Sequence, residues 1–231
     1  MARVLLLHGL GGTARTMAPI ADGLAARGHE VHAPTLPGHG TEPAALAGVT
    51  WHDWLAAAAA AVAGSAGGLA GGSGGQIADV IVGQSLGGSL ALALAAGGGC
   101  RAVVAINPPA PDPDAVDGLE WRLSRGHDMV EGPPLAPGEE GYTQLPLPAL
   151  LEMATGVLAT DLTSVTVPVL LITGALDDVA DPAAADALAA AIGGPVVRLV
   201  LQHSGHVATL GPEQATLIDA IDSCCRALRP S

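Results

Sequence analysis

The chain contains no lysine and no phenylalanine. All nine of its basic residues are therefore arginine, they are scattered, and 22 acids outnumber them to a formal net charge of −13. A protein that neutralises nucleic-acid phosphates needs a basic patch, so nucleic acid is not an expected partner. An acidic surface also repels anionic membranes and polyanions at long range. Cysteine is scarce: Cys100, Cys224 and Cys225 are odd in number and form no C-x-x-C. That excludes a disulfide framework or a zinc site and leaves free thiols. Asp112, Asp114 and Asp117 lack the glycine and terminal glutamate of a calcium loop, so no metal and no cofactor is expected. No apolar run reaches the ~18 residues that span a bilayer. The apolar start, Val4-Leu5-Leu6-Leu7, stops at His8-Gly9. It is too short for a secretory core and no A-x-A-like cleavage site follows. A soluble, cytoplasmic chain with no integral membrane segment is expected.

What is present suits a packed globule: 231 residues, 49% of them hydrophobic, enough for one domain with an insertion. Apolar runs at 3–8, 30–34, 77–82, 101–106, 168–173 and 196–201 read as buried strands. Helices are expected at 16–27, from 51 to 63, and at 89–96, 182–192 and 212–228. Thr50 and Asp53 have the spacing of a capping box. Residues 64–76, rich in Gly, Ser and Ala, read as a surface connection. From 108 to 163 the texture turns to Pro, Gly, Asp and Glu, with short helices near 115–124 and 147–159. This stretch reads as a cap inserted over a site within a single domain, 1–231. Alternating strands and helices predict an α/β fold, a mostly parallel sheet with helices on both faces.

The chemistry concentrates in Gly83-Gln84-Ser85-Leu86-Gly87. A nucleophilic hydroxyl must project from a sharp turn between strand and helix, and small neighbours let the two approach. The expected strand before Gly83 and helix after Gly88 supply that context, which makes Ser85 the candidate nucleophile. Serine needs a base, and Gln202-His203-Ser204-Gly205-His206 follows a strand late in the chain. His206 is the choice and His203 the fallback. The base needs a carboxylate to hold its tautomer. Asp177, just past the strand at 168–173, fits the order Ser…Asp…His, with Asp178 as alternative and Asp181 read as a helix cap. The oxyanion donors expected are the backbone amides of Leu86 and Leu10. His8 and His39 read as loop hydrogen-bonders, and Trp51 and Trp54 as packing residues of one helix face. Trp121, His127 and Met129, in the inserted stretch, are candidates to touch substrate. A competing reading, a dinucleotide site at Gly9-x-Gly11-x-x-Ala14, lacks an acid at the end of the second strand and leaves Ser85, Asp177 and His206 without a task.

Leu6-Leu7-His8-Gly9-Leu10-Gly11-Gly12, Pro37-Gly38-His39-Gly40, Gly83-Gln84-Ser85-Leu86-Gly87-Gly88, Gly174-x-x-Asp177 and Ser204-Gly205-His206-Val207 resemble the α/β-hydrolase superfamily. The nearest branch is that of small bacterial carboxylesterases and monoacylglycerol-lipase-like enzymes. The resemblance covers roughly 2–108 and 163–228; the Pro-rich stretch between matches poorly, and Leu10 stands where that branch often has Phe. The chain starts at the first parallel strand, so the antiparallel strands that often precede it are expected to be missing. The resemblance implies an α/β-hydrolase fold with a short cap. It also implies a serine hydrolase for a small-molecule carboxylic ester, with Ser85 as nucleophile, Asp177 as acid, His206 as base, and Leu10 and Leu86 as oxyanion donors. Thioesterase or lactonase chemistry could use the same residues, and an inactive binding protein could share the fold. Nothing in the pattern sets an oligomeric state.

Overall fold

The computed structural model describes residues 1–64, 78–132, 134–135 and 139–228. The connection expected at 64–76 thus lies, from residue 65 on, outside the described residues. Six strands form one sheet: β1 (Arg3–Leu7), β2 (Glu30–His32), β3 (Ala78–Gln84), β4 (Cys100–Ile106), β7 (Val169–Gly174) and β8 (Val196–Leu201). Their spatial order is β2-β1-β3-β4-β7-β8 and every pairing is parallel. Two more strands, β5 (Met129–Glu131) and β6 (Gln144–Pro146), pair antiparallel in a separate ribbon.

Strands buried on both faces can be apolar throughout, and their period of two sorts the side chains into two layers. Leu5, Leu7, Ile81, Val103, Ala105 and Leu171 belong to one core cluster. Val4, Leu6, Val80, Val82, Val104 and Ile172 belong to the other. The first layer packs on α2 (Trp51–Gly64), α3 (Leu86–Ala96) and α6 (Ala185–Ala191). The second packs on α1 (Ala18–Ala25) and α7 (Gln214–Ala227), the latter through Leu217, Ile221 and Cys225 at helical spacing. Between β4 and β7 lie α4 (Pro113–Ser124), the β5–β6 ribbon and α5 (Leu147–Ala159).

Local chemistry sets the boundaries. Thr50 and Asp53 form the reciprocal capping box: the Asp53 N–H donates to Thr50 Oγ1 at 3.2 Å and the Thr50 N–H to Asp53 Oδ2 at 2.9 Å. The helix expected at 16–27 instead begins as a 3-10 turn, Ala14–Met17, capped by Thr13, and becomes α-helical at Ala18. Pro19 explains the seam: lacking an N–H, it is tolerated only in a helix's first turn. The strand expected at 30–34 is cut to three residues, since Pro34 has no N–H to offer a ladder. The β5–β6 ribbon was not legible in the pattern. Asp181 caps the short turn Pro182–Ala184 by accepting from the Ala183 N–H at 2.9 Å. The three cysteines are free, and burial pushes the Cys100 and Cys225 thiols up to about 12.

Candidate active site

The C-terminal ends of β1, β3 and β7, and the loop after β8, converge on one cavity of about 440 Å³. Its wall includes Ser85 and His206, the loop Gly9–Gly12, and from the stretch before β7 Tyr142, Leu145, Leu150 and Met153.

Ser85 sits between β3 and α3 with φ 53° and ψ −119°, a conformation that costs of order 1–3 kcal/mol for a non-glycine residue. The surroundings enforce it. The Ser85 N–H donates to Ile106 O at 2.9 Å. A Cβ on Gly83 would lie 2.0 Å from Gly87 O, and one on Gly87 would lie 2.2 Å from Leu7 O. Strand, turn and helix thus touch backbone to backbone, and only glycine fits at both places. Leu86 is the first residue of α3, so its N–H is among the unsatisfied donors of that helix start.

His206 and Asp177 meet. His206 Nδ1 lies 3.0 and 2.9 Å from the two Asp177 carboxylate oxygens. Asp177 Oδ1 also accepts the Val179 and Ala180 N–H groups, both at 2.9 Å. The carboxylate is closed off from solvent, while the imidazole keeps 13% of its side-chain surface open. With Nδ1–H committed to Asp177, Nε2 is the ring nitrogen left with a free lone pair. Asp178 borders the cavity but is not the partner of the imidazole. His203 is exposed, with its backbone N–H on Glu213.

The loop after β1 is held from below. His8 Nδ1–H donates to Gly9 O at 2.9 Å, and Gly12 N–H donates to the same oxygen at 3.1 Å. Gly9 O and Leu10 N–H belong to one trans peptide, so fixing the carbonyl aims the amide the opposite way. His8 Nε2 accepts the Leu36 N–H at 3.0 Å. Burial, with His39 beside it, pushes the His8 pKa down to about 3. His39 donates from Nδ1 to Pro37 O at 2.9 Å, and burial lowers its pKa as well.

The two tryptophans of α2 pack in the core as expected, whereas the candidates of the inserted stretch lie away from the cavity. Trp54 is fully buried with its indole N–H on Pro37 O at 3.0 Å, and Trp51 packs beneath α5. Trp121 is 58% exposed with the Arg125 guanidinium 5.4 Å over its ring, and it does not line the cavity; nor do His127 and Met129. The pattern gave no notice of Tyr142, Asn107 or Glu213. Glu213 accepts the N–H groups of Gln202 and His203 and the Ser204 hydroxyl, which braces the loop before His206. Among the described residues no group of three metal-ligating side chains occurs, and no helix is long and apolar enough to cross a membrane.

A parallel sheet with this order, carrying a serine elbow and a paired His–Asp at its C-terminal edge, has the form of an α/β hydrolase. The model of the alpha/beta hydrolase family matches residues 4–217, and the chain belongs to that family. It is 31% identical over 224 residues to a thermostable monoacylglycerol lipase from Bacillus sp. (strain H-257), a match spanning 94% of this chain and 87% of the relative. A solved structure from work on LipS and LipT, two metagenome-derived lipolytic enzymes, superposes with a TM-score of 0.85 at 27% identity, covering 97% of this chain and 93% of that one. The monoacylglycerol lipase of Paleococcus ferrophilus shares the fold, with a TM-score of 0.76 at 16% identity over 98% of this chain and 95% of its own.

Proposed function

We propose that the chain is a serine hydrolase that cleaves carboxylic esters, among them monoacylglycerols and other short- to medium-chain acyl esters, through an acyl-enzyme. The observation that carries the reading is the Asp177–His206 pair opening onto the same cavity as a strained Ser85. The lipolytic relatives support the substrate class. So do the apolar walls supplied by Leu145, Leu150, Met153 and Leu210.

The chemistry runs as two acyl transfers. Ser85 Oγ attacks the ester carbonyl while His206 Nε2 takes its proton, and Asp177 stabilises the imidazolium. The Leu10 and Leu86 amides receive the oxyanion, a contribution of about 3–4 kcal/mol per donor in comparable sites. As the tetrahedral intermediate collapses, His206 returns the proton to the departing alcohol. Water, deprotonated by the same nitrogen, then attacks the acyl-serine, and the carboxylic acid leaves as Ser85 regains its proton. Residues 108–163 serve in this reading as the cap of a single domain, 1–231. Three free thiols suit a reducing, cytoplasmic setting.

Turnover of monoacylglycerols and aryl esters by the Ser85→Ala variant tests the proposal. The expected loss in kcat is at least about 10⁴-fold, with labelling by an active-serine phosphonate abolished. Asp177→Asn should cost about 10⁴-fold, since an amide can donate to Nδ1 and hold the wrong tautomer. Undiminished hydrolysis by a folded Ser85→Ala variant would end the reading.

A further inference from the structure

Asn107 is the first residue past β4 and does not line the cavity. Its backbone is in the left-handed region, φ 46°, which Asn tolerates better than most residues. It is buried, and its side-chain amide is fully engaged. Oδ1 accepts the Gly174 N–H at 2.7 Å. Nδ2 donates to Gly205 O at 3.0 Å and to His206 O at 2.8 Å. The Asn107 backbone N–H donates to Ile172 O at 2.9 Å, which ties the residue to β7 as well.

These partners belong to the two segments that must meet. Gly174 ends the strand that leads to Asp177, and Gly205 and His206 are the backbone of the base itself. The segments already press together: a Cβ on Gly174 would lie 2.4 Å from Ser204 O and 2.8 Å from Gly205 O. The carbonyls of Gly205 and His206 converge on one point, the Asn107 Nδ2. Without a donor there they would be left unsatisfied, at a cost of the desolvation kind. Asn supplies two N–H bonds to that point and an acceptor facing the opposite way, which no other side chain of that length does.

We infer that Asn107 is a positioning residue: it sets the separation of the Asp177 strand end and the His206 loop, and through it the Asp177–His206 bond. The inference rests on the reading of Ser85, Asp177 and His206 as the catalytic set. Asn107 touches neither substrate nor imidazole. It fixes the peptide planes on both sides of the His206 Cα, and so the direction in which the ring leaves the backbone.

Two variants test this. Asn107→Gly removes the amide and accepts the positive φ without strain. Asn107→Asp keeps the shape but sets a carboxylate oxygen against the two carbonyls. The readouts are kcat and KM for p-nitrophenyl butyrate, the rate of phosphonate labelling of Ser85, and the downfield proton resonance of His206 Nδ1–H, in samples shown to be folded by circular dichroism. Both variants should lose about 100-fold in kcat, the scale of a misplacement near 1 Å. KM should stay within about three-fold, since ground-state binding is untouched. Labelling should slow in parallel, and the resonance should broaden or vanish. A folded Asn107→Gly with native kcat, labelling and resonance overturns the inference. So does a loss confined to KM with the resonance intact. If the glycine variant does not fold, the isosteric Asn107→Asp decides on the same readouts. Failure of the underlying reading looks different: wild-type protein would resist the phosphonate, or Ser85→Ala would retain turnover.

Discussion

His8 is enclosed at the base of the loop that presents Leu10, its two ring nitrogens used by Gly9 O and the Leu36 N–H. Only the neutral ring can serve both, because Nε2 must accept. With its folded pKa down to about 3 against an ordinary 6.5, His8 binds fewer protons folded than unfolded across that interval. Its contribution to stability is therefore complete above about pH 6.5 and is lost as pH falls toward 3, at up to about 1.4 kcal/mol per pH unit. Urea unfolding at pH 7, 5.5 and 4 should show the gap between wild type and His8→Gln narrowing stepwise with acidity. A gap that does not change with pH would contradict the assignment. At this scale the Ser85 turn and the Asp177–His206 contact could be anticipated, because a Gly-x-Ser-x-Gly between strand and helix, and an acid and a histidine just past later strands, are patterns local in sequence. Asn107 could not: its partners are backbone groups from remote segments, and an Asn before two prolines reads equally well as a turn.

Among elements, the contact that shapes the cavity is that of α5 on the start of α2. Gly156 lies flat on Trp51, where an added Cβ would be 2.0 Å from the ring, and Glu152 accepts the Trp51 N–H at 3.0 Å. Leu150 and Met153 reach the cavity from the same helix. Gly156→Ala should lift α5, destabilise the fold by about 1–3 kcal/mol as overpacking does, and change KM for longer acyl esters more than for acetates. Thermal melts and a chain-length series check both parts. The strands and main helices could be read from periodicity because each buries a regular face. The β5–β6 ribbon could not, because its strands are three residues long, are separated by a Pro- and Gly-rich stretch, and expose much of their surface. The same brevity hid the 3-10 entry to α1.

For the molecule as a whole, charge sets which substrates approach easily. A net charge of −13 with Glu139 and Asp178 on the cavity wall opposes anionic esters at a range set by salt. Raising ionic strength from about 0.01 to 0.1 M shortens that range from about 30 to 10 Å. The kcat/KM for a hemisuccinate aryl ester should rise by roughly two- to three-fold over that interval, while that of a neutral butyrate should not move. Equal responses from both esters would show that long-range charge plays no part.

Tyr142 joins regions that are distant in the chain. Its N–H donates to Gly11 O at 2.9 Å, and its phenol accepts from the Thr41 N–H at 2.9 Å and donates to Gly38 O at 3.3 Å. A single tyrosine thus stitches the stretch before β7 to two loops, and one of them, Gly9–Gly12, lines the cavity and is the loop proposed to cradle the oxyanion. A guest too bulky for the resting chamber has to part that seam to enter, and parting it slackens the cradle. On that proposal entry and reactivity would be mechanically coupled, and an oversized ester would be handicapped in the bond-breaking step as well as at the door.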